Sequence, residues 1–229
     1  MALYAIGDLH LSLMANKPMD VFGSKWENYV ERIAAAFSAL RDDDVIVLAG
    51  DTSWGISLDE ALADFKFLDA LPGKKLLLKG NHDYWWGTAA KMKKFFADNE
   101  LTSFDILHNN CFFYGDHAIC GTRGWFYEEE AVGTHTGKML NREALRLEAS
   151  LTAAEGRPIF CFLHYPPIYH GYQCPEMLNL LDRYGVERCY YGHLHGPTHV
   201  RAFEGRRNST EYALISADYL QFIPKKICE

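Results

Sequence analysis

The chain has 229 residues, is 48% hydrophobic and carries a formal net charge of −7, which suits one globular domain with a sizeable core. The acidic balance argues against an extended nucleic-acid track, which needs a basic face, and no apolar stretch approaches the roughly 18–20 residues of a membrane span. The opening MALYAIGDLH lacks a basic-then-apolar leader, and Cys111, Cys120, Cys161, Cys174, Cys189 and Cys228 are scattered without a C-x-x-C pair, so free thiols and a cytoplasmic location are expected.

In chain order, the apolar run Leu3–Ile6 predicts a first strand. A helix follows on Val30, Ile33, Phe37 and Leu40, with Ser24-Lys25-Trp26-Glu27 as its capping box. Val45–Leu48 predicts the next strand, and Leu58, Leu62 and Phe65 a helix opened by the box Ser57 to Glu60. Lys75–Leu78 is a third strand. Residues 104–121 contain CFFYGDHAIC, a hairpin pattern turning at Gly115-Asp116. Residues 122–140, with Glu128-Glu129-Glu130, read as an irregular surface excursion able to overhang a site. Leu140, Ala144, Leu147, Leu151 and Ala154 mark a helix ending before Gly156. Strands are predicted at Ile159–Leu163 and Arg188–Tyr191, and a second hairpin within 198–223. No linker or repeat interrupts residues 1–229, so a single α/β domain of layered sheets and helices is expected.

Polar residues gather just beyond five of these strands: Asp8 and His10, Asp51, Asn81 with His82 and Asp83, His164, and His193 with His195. Ligand sites in open α/β sheets collect at strand carboxyl ends. The pairs Asp8/His10 and His193/His195 are two residues apart, a spacing that projects both side chains to one side of an extended chain. The donor set is carboxylate, imidazole and amide, with no thiolate, which suits Mn, Fe or Zn. Seven candidate ligands are too many for one tetrahedral ion and suit two ions sharing a carboxylate. Two divalent ions, two carboxylates and a bridging hydroxide would leave the centre roughly +1, a local attraction for phosphate in an acidic chain.

The ordered set D-x-H, G-D, G-N-H-D, H and G-H-x-H, spanning residues 8–195, resembles the calcineurin-like metallophosphoesterase superfamily. The resemblance implies a four-layer αββα sandwich of two mixed β-sheets flanked by helices. It implies a first metal on Asp8, His10, Asp51 and His195, and a second on Asp51, Asn81, His164 and His193, with Asp51 bridging. His82 would face the phosphoryl group or the leaving oxygen, and Asp83 would hold the His82 ring. A metal-bridging hydroxide would attack phosphorus in line, in a phosphomonoester or phosphodiester that is a small molecule. Many family members carry a second Asp after G-D; here Thr52-Ser53-Trp54-Gly55 follows, which argues against a phosphoprotein phosphatase and leaves the substrate contacts unassigned. Arg123 is a candidate phosphate donor or a surface ion-pair partner, and Tyr165 and His170 candidates for the mouth of the site. Tyr84, Trp85 and Trp86 suit either stacking or core packing, the second being favoured. A non-catalytic protein-binding scaffold on the same fold is the alternative reading.

Overall fold

The structure, a computed structural model, describes residues 1–125 and 134–229. In chain order the elements are β1 (Leu3–Ile6), α1 (Tyr29–Phe37), β2 (Val45–Leu48), α2 (Leu62–Asp69), β3 (Lys74–Leu77), α3 (Ala89–Asp98), β4 (Phe104–Ile106), β5 (Cys111–Tyr114), β6 (His117–Thr122), α4 (Thr134–Thr152), β7 (Ile159–Leu163), β8 (Ile168–Tyr169), β9 (Tyr172–Gln173), α5 (Pro175–Arg183), β10 (Arg188–Tyr191), β11 (Gly205–Arg207), β12 (Thr210–Leu214) and β13 (Lys225–Cys228), with short 3-10 turns at Met19–Phe22, Ser24–Trp26 and Gly196–Arg201. They form two mixed sheets flanked by helices, with β8 and β9 as a separate two-stranded hairpin, in two compact units.

The first unit comprises Met1–Ile106 and Ile215–Glu229. Its sheet has the order β13-β1-β2-β3-β4, parallel throughout except for β13. Parallel strands covered on both faces read as unbroken apolar runs, and Leu3, Ala5 and Ile6 are all fully buried. β1, β2 and β3 each return through a helix whose apolar residues lie on the core. Tyr29, Ile33 and Phe37 of α1 are buried, and burying Ile33 and Phe37 stabilises the fold by roughly 1.5–3 kcal/mol each.

The second unit is Leu107–Leu214. Its sheet runs β11-β12-β10-β7-β6-β5, with four parallel central strands and antiparallel edges. All five residues of β7, IFCFL, are buried. Pro175 opens α5, where its fixed φ and missing N–H suit the first turn, and Met177, Leu178, Leu180 and Leu181 point inward. Cys120, Cys161 and Cys189 sit side by side on β6, β7 and β10. Burial pushes the Cys120 and Cys161 thiols up, which keeps them protonated and unreactive. All six cysteines are free.

Four expectations change. The box at Ser24–Glu27 does not cap α1: Ser24–Trp26 is a separate turn, and α1 starts after Asn28, which has a φ of 50°. Trp26 decides this by being buried, because the core claims the position that a capping turn would leave exposed. Near α2, Ser57 Oγ accepts from the Glu60 amide at 3.2 Å, but the Glu60 carboxylate takes the Ile56 amide instead, so the box closes a turn and α2 begins at Leu62. The third strand starts one residue earlier, at Lys74. Within 122–140, residues from Thr134 onward are helical, while Glu128-Glu129-Glu130 lie outside the described residues. The 115–116 hairpin turn is as expected; the later hairpin is confined to β11 and β12, around Asn208-Ser209. Among the described residues no helix is long and apolar enough to cross a membrane.

Candidate metal centre

In the first unit, the loops leaving β1, β2 and β3 are laced together by backbone. The Asp8 amide donates to Gly50 O at 2.9 Å, His10 N to Asp51 O at 2.9 Å and Leu11 N to Thr52 O at 3.0 Å. These bonds force the chain into sharp bends. Asp8, His10 and Asp51 have φ values of 60°, 47° and 51°, in the left-handed region that side chains other than Gly, Asn and Asp rarely occupy. Strain of this kind collects at functional sites, where surrounding contacts over-determine it. It turns polar side chains of neighbouring loops toward one another. An Asp8 carboxylate oxygen lies within 4.8 Å of a carboxylate oxygen of Asp51 and, likewise, of a ring nitrogen of His10, while His10 Nε2 is 3.7 Å from Asp51 Oδ2.

Asp51 is fixed from the other side as well. Its Oδ1 accepts the His82 amide at 2.8 Å. Gly80 makes this approach possible, since a Cβ there would sit 2.0 Å from Asp51 Oδ1 and 2.3 Å from Asp51 N. Asn81 lies between these two contacts.

Asp83 carries a different load from the one expected. Its Oδ2 accepts the amides of Asp51 and Gly80, both at 2.8 Å. Its Oδ1 accepts Thr52 N at 2.9 Å, Ser53 N at 3.4 Å and the Trp85 indole at 3.1 Å. The carboxylate therefore pins the loops after β2 and β3 by their backbones, and these five donors stand where a bond to the His82 ring was expected. Burial, and then the neighbouring Asp51 carboxylate, push Asp83 up to about 7 against the lowering effect of its amide donors.

Aromatic rings support the two histidines. Trp54 stacks on His10 at 4.8 Å and 25°, and lies 4.5 Å from the His82 ring. Trp26 meets His10 edge-on at 5.9 Å. Trp54 is itself held by Lys17, whose Nζ is 4.4 Å from its ring centre, and by a bond from its indole to Met19 Sδ. Ser53, beside it, donates to the buried Asp64 carboxylate at 2.5 Å. Trp85 is buried against Phe65, 4.9 Å away, and Trp86 packs on the same core, as the core reading expected. Tyr84 is exposed.

In the second unit, His164 follows β7 and is fully buried. Its amide and that of Tyr165 both donate to Arg123 O, at 3.1 and 2.9 Å, and His164 O accepts Gly192 N at 3.1 Å. His193, with a φ of 73°, brings its ring 5.2 Å from His164 and 4.6 Å from Tyr165. His195 caps the following 3-10 turn, with Thr198 Oγ1 accepting its amide at 2.9 Å and donating to its carbonyl at 2.8 Å. Arg123 is tied to a buried partner rather than a surface one: Glu143 Oε1 takes Arg123 at 3.3 Å and Arg146 at 2.5 Å, while Oε2 accepts Thr122 Oγ1. The Arg123 guanidinium also lies over Trp125 at 5.2 Å and over Tyr165 at 6.0 Å.

Residues 1–197 match the family model of the calcineurin-like phosphoesterases. The chain belongs to that family. At the level of the superfamily, a calcineurin-like phosphoesterase is a phosphoester hydrolase that typically binds divalent metals. No curated protein matches. Among solved structures, a protein of unknown function from Aquifex aeolicus, AQ665, is 13% identical, with a TM-score of 0.52 over 98% of this chain and 95% of its own. The protein TT1561 of Thermus thermophilus is 11% identical, with a TM-score of 0.46 over 99% and 97%. The first likeness concerns the fold.

The phosphoesterase loops fit divalent metal by their donor chemistry. Carboxylates and imidazoles on backbone that is bent and clamped suit such an ion. Asp8, His10, Asp51 and Asn81 belong to the first unit, and His164, His193 and His195 to the second. Sequence reasoning missed the residues that hold these loops: Trp54, Asp64, Glu143, Thr198, and His199, whose Nε2 lies 3.1 Å from Leu194 O. Only Thr198 had a local signal, as an N3 residue after a capping position.

Proposed function

We propose that this phosphoesterase is a dinuclear metal-dependent hydrolase of small phosphomonoesters or phosphodiesters. The ligands would be Asp8, His10, Asp51 and His195 for one ion and Asp51, Asn81, His164 and His193 for the other. The observation that carries the reading is Asp51: a fully buried carboxylate on left-handed backbone, with Oδ1 anchored by the His82 amide and Oδ2 facing His10 Nε2. Such a carboxylate is prearranged to be shared. Bound divalent ions supply Lewis acidity and a lowered pKa for water.

The chain's own groups then position and move protons. The His82 ring, wedged against Trp54, donates a hydrogen bond to a phosphoryl oxygen or a proton to the leaving oxygen. Asp83 keeps Asp51 and the His82 loop in register. Tyr165, beside His193, and Arg123, over the Tyr165 ring, contact the ester group. The free thiols support a cytoplasmic setting, and the acidic surface supports a small-molecule substrate over a nucleic acid. Metal analysis combined with a panel of aryl phosphates and bis-aryl phosphodiesters in Mn tests the reading. Turnover that chelation abolishes is expected, with loss of both turnover and metal in Asp51→Asn. Full activity in Asp51→Asn would refute the sharing of that carboxylate.

A further inference from the structure

A second concave site lies wholly within the second unit, in the chain segments that directly follow His164 and His195. The β8–β9 hairpin forms one wall and residues 200–207 the other. The walls are joined by the Tyr169–Ala202 bridge and by His170 N donating to Arg201 O at 3.2 Å. Together they line an open groove of about 540 Å³, a volume within the range of small-ligand sites. Its lining includes His170, Arg201, Arg206 and Arg207 and no acidic residue, in a chain whose net charge is −7.

Only one of these arginines is committed to a carboxylate. Arg207 donates to Asp182 at 2.8 Å, whereas Arg201 and Arg206 are exposed, with no acidic partner among the described residues. Arg206 stands opposite Glu211 in the β11–β12 register, but the Glu211 carboxylate is drawn toward Arg188 at 3.9 Å. Two guanidinium groups are thus free to grip planar oxyanions in the bidentate manner that arginine favours. Ile168, Phe203 and exposed Val200 add an apolar surface beside them.

We propose that this cleft binds a small anion carrying two or more phosphate groups, held by Arg201 and Arg206. The anion is either the far end of the substrate or a separate effector. The first of these sources rests on the proposed hydrolase reading; binding itself is measured without turnover.

Titration calorimetry of methylenebisphosphonate, whose P–C–P bridge resists hydrolysis, into the intact chain reads the site directly. Wild type is expected to show a binding site that Asp51→Asn retains, and an R201A/R206A variant to bind there about tenfold more weakly or worse. Equal binding by wild type and R201A/R206A overturns the proposal, as does binding lost in Asp51→Asn alone, which would place the anion at the metal ligands. Kinetics separate the two sources. With bis(p-nitrophenyl) phosphate, R201A/R206A should match wild type. A KM raised about tenfold only for substrates bearing a second phosphate supports the substrate's far end. An unchanged KM, with bisphosphonate altering the rate of wild type but not of the variant, supports an effector.

Discussion

Asp83→Asn separates a structural clamp from a catalytic aide. In the wild type, Oδ1 receives three N–H donors and Oδ2 two. An amide side chain can present only one oxygen. With its NH2 at the Oδ2 position, the Asp51 and Gly80 amides each face another donor; flipped, three donors do. Leaving two buried donors unmet costs roughly 1–3 kcal/mol apiece, or about 2–6 kcal/mol in all, a large part of a typical stability of about 5–15 kcal/mol. Urea unfolding followed by tryptophan fluorescence should show the midpoint falling by roughly 1–3 M. Trp85→Phe, which removes a single donor, should cost only about 1 kcal/mol. If Asp83→Asn changed stability by less than about 0.5 kcal/mol while turnover collapsed, the backbone clamp would be wrong, and support of the His82 ring would be the better account.

Three further outcomes follow from local geometry. Gly80→Ala should destabilise by about 1–3 kcal/mol or more and lower metal content, because the added Cβ meets the Asp51 carboxylate and amide; an unshifted melting temperature with full metal would contradict this. His82→Ala should keep its metal and lose rate, and metal loss in that variant would show that the ring is a ligand. Lys75, whose ammonium donates to Leu71 O, is pushed down to about 8 by burial from an ordinary 10.5. The unfolded chain therefore holds more protons between pH 8 and 10.5, so this lysine makes stability rise with pH across that window. Lys75→Met should flatten the rise in denaturation curves taken at pH 8 and 10; an unchanged slope would assign it to another group.

Much of the fold was legible because it rests on local pattern. Leu3–Ile6, Val45–Leu48, Ile159–Leu163 and Arg188–Tyr191 appear at the expected bounds, since a short run dominated by apolar, β-prone residues suits a strand of a parallel sheet. The helix entrances were less legible. A capping box is a four-residue signal, and burial of Trp26 is enough to override it. The partners of Asp83 and Arg123 were less legible for a related reason. Sequence proximity put Asp83 beside His82 and offered Arg123 either a substrate phosphate or a surface ion pair. The folded chain gives Asp83 to amides some thirty residues away and Arg123 to Glu143, one helix later.

The order of motifs along the chain carried the resemblance to the family, and the apolar runs placed the residues at the strand ends, because the run itself marks where a strand stops and which groups follow it. It could not supply the bends of Asp8, His10, Asp51 and His193, the ring of Trp54 against His10, or the unopposed guanidinium groups beside His170. Those depend on which distant segments compete for the same amides, rings and charges, and that competition is settled only when the chain has folded.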